Sequence, residues 1–310
     1  MTNVKKLGLT ALAGSLVATS AYAGALDVTG TAKVTYASLD ESEVTGNPYS
    51  MSQGIGFAGS GDLDNGMTIN YTYTSTNMAF SSSNLKLDMG DAGTLSFANG
   101  ASLTGMQAYY DKMPTAGEQV WDDLDGQANG VATMSTTNTL GYSNTFAGIG
   151  ISAAYNKDAG AATEGSSKSL ALTSSDLIDG AEIGWAHADV SGSSNDNGTD
   201  SDTVYITYTA GALTMGGQVT KIDKSAANSD LDRVHAAVSV AVNENLSVSL
   251  GQSVVEFEAT AKDDQESVGI AFSYTMGSMT IAGFQNTEDN TGGTSGTDDS
   301  VTELSVAFAF

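Results

Sequence analysis

Apolar and polar residues alternate along most of this chain with a period of two. From Leu26 to Ser38, one row holds Val28, Gly30, Ala32, Val34 and Tyr36, and the other Thr29, Thr31, Lys33 and Thr35. From Tyr49 to Gly61, Tyr49, Met51, Ile55 and Phe57 oppose Ser50, Ser52 and Gly54. From Met67 to Ser75, Met67, Ile69, Tyr71 and Tyr73 oppose Thr68, Asn70, Thr72 and Thr74. Successive side chains of a strand point to opposite faces, so this alternation predicts strands with one apolar and one polar face. The pattern continues through Leu85-Leu87-Met89, Leu95-Phe97, Leu140-Tyr142 and Ile149 to Tyr155. It runs on through Leu170-Leu172, Ile183-Trp185, Val204 to Tyr208, Leu213 to Val219, Val234 to Val242 and Leu246 to Leu250. The last segments are Val268 to Met276, Met279-Ile281 and Thr302 to Phe310. That makes about sixteen segments.

The connections alternate in length. Short Gly-, Asn- and Asp-bearing turns fall at Asp62 to Gly66, Gly90 to Gly93, Phe146 to Gly148, Asp176 to Gly180, Ala210 to Ala212, Asn243 to Asn245 and Gly277. Longer polar connections fall at Leu39 to Pro48, Asn77 to Ser83, Asn99 to Thr136, Lys157 to Ser166, Val190 to Ser201, Ile222 to Asp230, Glu258 to Gln265 and Thr287 to Ser300. Short turns at one end and long loops at the other describe an up-and-down antiparallel meander. The prolines, Pro48 and Pro114, both lie in long connections, where no ladder needs their missing N–H.

The apolar row decides the class. It mixes Gly and Ala with Val, Ile and Leu. A close-packed core would be left with voids by such a row, whereas lipid tolerates it. Leu26 to Ser38 also exceeds the ~9–11 residues that a tilted strand needs to cross a bilayer. The expectation is an all-β transmembrane barrel, with the apolar row facing lipid and the polar row facing an enclosed lumen.

An export address precedes it. Lys5 and Lys6 form a basic start, Leu7 to Val17 an apolar stretch too short for the ~20 residues of a spanning helix, and Ala21-Tyr22-Ala23 a cleavage site. Residues 1–23 are thus expected to be a secretory signal peptide and 24–310 the barrel, with cleavage after Ala25 as the alternative. The chain carries 36 acidic residues against 11 basic ones, a formal charge of −25. This excess argues against nucleic acid, which is bound through clustered Lys and Arg. The absence of Cys excludes disulfides and thiol chemistry, and a total of two histidines, His187 and His235, argues against a His-rich metal site.

In these features the chain resembles the Gram-negative general porins, in particular the sixteen-strand type of alphaproteobacteria and most nearly the marine ones. The signal peptide, the long third connection and the C-terminal row Leu304, Val306, Phe308, Phe310 carry the resemblance. It implies a homotrimer in the outer membrane that passes small polar solutes by passive diffusion. It implies a long loop folded into the lumen, and a terminal row read by the barrel-assembly machinery. The chain departs from the enterobacterial pattern of an arginine cluster at the constriction, because Arg233 is its single arginine.

The connection from Asn99 to Thr136 is then the expected constriction loop, since so long a loop in a compact domain calls for a function. Its Glu118, Asp122, Asp123 and Asp125 would set a negative ring at the narrowest point, and such rings favour cations. Asp122, Asp123 and Asp125 could instead hold a structural calcium through hard oxygen ligands. Parity places the basic side chains of Lys33, Lys86 and Arg233, with His235, on the polar row. A lysine facing lipid near the midplane would cost ~2–4 kcal/mol, which favours the lumen for Lys33 and Lys86. Arg233 and His235, at a strand end, could equally anchor a loop. Tyr71, Tyr73, Tyr142, Tyr155, Tyr208, Tyr274 and Phe308 are candidates for interfacial girdles. His187 and Asp189 lack a nucleophile beside them, so no enzyme is expected. A substrate-selective porin and a secreted acidic β-rich surface or adhesion protein are the alternatives.

Overall fold

The computed structural model describes residues 26–40, 46–100, 104–110, 112–126, 131, 134, 136–158, 165–191 and 198–310. The expected signal peptide lies outside the described residues. Sixteen strands run in chain order: β1 Asp27–Leu39, β2 Tyr49–Asp62, β3 Thr68–Thr76, β4 Ala79–Asp88, β5 Thr94–Asn99, β6 Thr139–Phe146, β7 Ile149–Asp158 and β8 Gly165–Ser174. They continue with β9 Ala181–Ser191, β10 Thr199–Ala210, β11 Leu213–Lys224, β12 Leu231–Ala241, β13 Leu246–Phe257, β14 Gln265–Met276, β15 Met279–Asp289 and β16 Asp299–Ala309. Each pairs antiparallel with its sequence neighbours, and β1 pairs with β16 to close the barrel. Beyond the last strand, Phe310 and Gly30 exchange two backbone hydrogen bonds, of 2.8 and 3.1 Å, that extend this closing pair.

Closure leaves no edge, so every strand N–H and C=O can find a partner without water, as a lipid-spanning sheet requires. The faces are inverted relative to a soluble protein. Outward side chains such as Ile206 (44 % exposed), Leu250 (52 %) and Ile270 (57 %) have no protein over them. Towards the long-loop ends of β8 to β12 the outward row turns from apolar to charged. Lys168 meets Asp189 at 3.2 Å, His187 meets Asp202 at 3.3 Å and Lys221 meets Asp232 at 3.8 Å. Charges on the outer face mark where a hydrocarbon zone must end.

The wall is uneven in height. β10, β11, β13 and β14 have 12 residues each, while β5 has 6 and β6 has 8. The stretch from Asn77 to Ser83, expected as a long polar connection, is a correction: β4 begins at Ala79, so only Asn77 and Met78 turn the chain, both at positive φ (51° and 64°). Paired left-handed residues are the usual geometry of a two-residue hairpin. Asn77 fits the left-handed region readily. Met78 does not advertise it, and the polar run Ser81-Ser82-Ser83 hides the strand.

Candidate functional site

The described residues of the third connection at the long-loop rim, which joins β5 to β6 and is named loop 3, are folded into the barrel. Its first described part is a 3-10 helical turn, Gly105–Tyr109. Gly105 has φ +64°, and a Cβ there would stand 1.9 Å from Ser169 Oγ on β8. Only glycine permits both the conformation and the approach. The Gly105 and Met106 N–H groups donate to Ser152 and Ser169 hydroxyls (2.8 and 3.1 Å), so inward serines of β7 and β8 satisfy backbone that would otherwise be orphaned. Tyr109 donates from its hydroxyl to the Leu172 carbonyl at 2.7 Å and packs edge-on against Tyr205, with ring centroids 4.7 Å apart.

From there the loop runs round the wall. Gln218 of β11 donates to the Tyr109 carbonyl (3.0 Å), Ser249 of β13 accepts from the Ala116 N–H (2.8 Å), and Asn286 of β15 donates to the Gln119 and Asp122 carbonyls (2.9 and 3.0 Å). Met106, Tyr109 and Met113 lie in one buried cluster with the wall residues Ala171, Ala186 and Ala188. Small inward residues leave the space that the loop fills.

Beyond Ala116 the loop reaches the closing strands. Lys33 of β1 and Glu303 of β16 form an ion pair at 2.8 Å on the lumen side. Glu118 stands near enough for both charges to act on it. Enclosure within the barrel is the main cause that raises the Glu118 carboxyl above its ordinary range. Asp122, Glu303 and Asp123 add to the shift and Lys33 opposes it. Asp122 accepts the Gln119 N–H through Oδ2 (2.7 Å), and the Asp125 N–H donates to Asp299 of β16 (2.7 Å). Lys86, in register with Asn70 and Ser96, is exposed on the wall that loop 3 leaves uncovered.

Arg233 belongs elsewhere than in a water-filled lumen. It points inward but is covered by loop 3, 7 % exposed, and donates to the Val131 carbonyl at 3.1 Å. His235 beside it is buried against Trp121, ring centroids 4.4 Å apart. Parity gave the correct face for both residues but could not show the loop lying on it. Among the described residues no group of three or more His, Asp or Glu side chains is placed to hold a metal ion.

Three residues here have no sequence signal of their own. Lys112, Glu182 and Tyr205 form one cluster: Lys112 Nζ and the Tyr205 hydroxyl both donate to Glu182 Oε1, at 3.0 and 2.5 Å. Lys112 lies in a loop, where alternation carries no information.

The family model for Gram-negative porins matches residues 8–309, nearly the whole chain. The chain belongs to the Gram-negative porin family. Solved porin structures share the fold at low identity. A porin refined at 1.8 Å superposes with a TM-score of 0.70 at 15 % identity, over 92 % of this chain and 100 % of that one. An anion-selective porin from Comamonas acidovorans gives 0.69 at 14 % identity, over 92 % and 99 %. OmpT of Vibrio cholerae, in a form lacking its loop L8, gives 0.69 at 13 %, over 92 % and 99 %. No curated protein sequence matches significantly. The porin is therefore an outer-membrane channel protein, with loop 3 crossing its lumen.

Proposed function

We propose that this porin passes small hydrophilic solutes and ions by passive diffusion, with a mild preference for cations, as a homotrimer. One observation carries the cation preference. Where loop 3 approaches β1 and β16, the carboxylates of Asp122, Asp123 and Glu303 all act on that of Glu118, against the single ammonium of Lys33, which pairs with Glu303. An ion passing within a Debye length of these groups, ~10 Å at 0.1 M salt, feels that excess, which biases ions without barring neutral solutes. The uncovered wall supports passive diffusion: its inward row is mostly hydroxyl and amide, with Thr31, Ser52, Thr72, Asn70 and Asn84. No charge ladder along it suggests a dedicated substrate.

The short wall supports the trimer. Six residues at ~3.3 Å each, tilted by ~45°, rise only about 14 Å, half of a ~30 Å hydrocarbon core. On the neighbouring strands β2, β3 and β4, outward rings of Phe57, Tyr73 and Phe80 stand in contact, with centroids 6.2 and 5.8 Å apart. A neighbouring protomer over this wall would cover what lipid meets poorly. Export through the signal peptide, and insertion by assembly machinery reading Leu304, Val306, Phe308 and Phe310, complete the reading. Leu304, Phe308 and Phe310 are 48, 40 and 80 % exposed on the outer face.

Reversal potential across a planar bilayer under a KCl gradient tests it. Stepwise conductance with cation preference is expected, and Glu118→Gln with Asp122→Asn and Asp123→Asn should move the potential towards anions. Anion preference in the unaltered protein would overturn the assignment of selectivity. Well-folded protein without conductance would overturn the channel.

A further inference from the structure

Loop 3 has a second charged feature, on the opposite side of the lumen from Glu118. Lys112 borders a cavity of about 490 Å³ that also meets Thr94, Ser143, Asn144, Ser152 and Thr173. These positions fix its depth. Thr94 opens β5, Gly150 is the second residue of β7 and Thr173 the last but one of β8, so the cavity lies at the short-turn rim. Its wall presents hydroxyls, and among the described residues that line it Lys112 is the only charged one. The carboxylates that act on Glu118 are absent from it.

The charge of Lys112 is only partly spent. Its partner Glu182 accepts from Lys112 (3.0 Å) and from the Tyr205 hydroxyl (2.5 Å) on the same oxygen, Oε1. A carboxylate oxygen shared with a phenol holds an ammonium less tightly, and an ammonium has three N–H groups of which one is engaged here. The aromatic faces of Tyr109 and Tyr205, 5.7 and 5.1 Å from Nζ, fix where the ammonium stands. Lys112 keeps 28 % of its side chain exposed.

We propose that this cavity is a binding subsite for small hydroxylated carboxylates. Lys112 takes the carboxylate, and Thr94, Ser143, Ser152 and Thr173 take the hydroxyls. The subsite rests on the channel reading above and deepens it. The lumen is then polarised along its axis, with an acidic passage at Glu118 and a cationic recess at the short-turn exit. An acid arriving from the short-turn side reaches Lys112 without passing Glu118. One arriving from the long-loop side meets the carboxylates first.

Single-channel recording in dilute KCl, with gluconate added to one side and then to the other, tests this. Glucose serves as the uncharged control. Gluconate is expected to interrupt the current, at lower concentration from the short-turn side, and glucose is not. Lys112→Gln should raise the half-blocking concentration at least tenfold, and Lys112→Arg should keep it within about threefold. Glu182→Gln should lower it, because the ammonium loses its competing partner. That last sign separates binding from packing: if the cluster only braces the loop, Glu182→Gln and Lys112→Gln weaken the block together. Equal block in the unaltered protein and Lys112→Gln, or equal block by glucose, overturns the subsite. Loss of KCl conductance itself would instead overturn the channel.

Discussion

The two halves of the inner wall have the same kind of sequence and opposite fates. On β7 to β15 the inward row carries Ser169, Ala171, Ala186, Ala188, Gln218 and Asn286, all buried because loop 3 lies on them. On β1 to β4 the inward row carries Thr31, Thr72 and Lys86, which are exposed, and Lys33, which loop 3 approaches through Glu118. Serines and amides on the covered side satisfy the loop's backbone, and those on the bare side meet solutes. A polar row facing inward therefore means lumen only where nothing is folded against it. The burial of Arg233 is the clearest instance, and Lys86 is its counterpart on the bare side.

The largest test of that comparison sets the outer face against the inner. Ile206→Lys puts a charge into the lipid zone at mid-strand and should cost ~2–4 kcal/mol, read from urea unfolding in lipid vesicles. Thr72→Lys, on the bare inner wall, should change stability by less than about 0.5 kcal/mol. Equal costs would mean that the faces are wrongly assigned. A smaller effect separates covered wall from bare wall. Gly105→Val forces a β-branched residue into a left-handed backbone against Ser169, at roughly 1–3 kcal/mol. Its current record should become unsteady as the loop loses its first anchor. A substitution such as Ser52→Val on the bare side should leave the record steady.

The pH dependence is subtler. Glu118 is raised above the ordinary carboxylate range. It therefore takes up its proton first as pH falls, and its negative charge is the first to leave the constriction. Cation preference should begin to decline at a higher pH than the bulk of exposed carboxylates would dictate. In Glu118→Gln that early part of the decline should vanish from a series of reversal potentials. The smallest expected effect is at the outer rim. Lys168→Met breaks an exposed pair with Asp189 and should cost no more than a few tenths of a kcal/mol.

The strands were legible in the sequence because lipid and water impose opposite demands on alternate residues. Even the segment at Ile183 and Trp185, whose pattern is weak, proved to be a strand of 11 residues, β9. Reading failed where neither demand applied. The turn at Asn77 and Met78 is set by backbone conformation, and Ser81 to Ser83 look like loop by composition alone. Glu118 was legible as a loop acid, but its meeting with Lys33 and Glu303 depends on the path of loop 3. That path is written in the wall's small residues, which the linear sequence does not connect to the loop, and in the loop's own Gly105. Lys112 and Glu182 are 70 residues apart, and nothing in either neighbourhood announces the pair.

The pairing of β1 with β16 has a kinetic consequence. Thr31 pairs with Ala309 and Gly30 bonds Phe310 just beyond, the widest sequence separations in the barrel, while every other pairing joins strands adjacent in the chain. Hairpins between neighbours can form as soon as both strands exist, since local contacts need little chain closure. The last contact must wait for the final residues and carries the greatest loop entropy. Until then two raw edges are open to pairing with other chains, a hazard for any exposed strand. A chain stopped short of β16 would keep fifteen good strands and both edges. Pairing of β16 with β1 therefore decides whether the product is a sealed cylinder or an aggregation template.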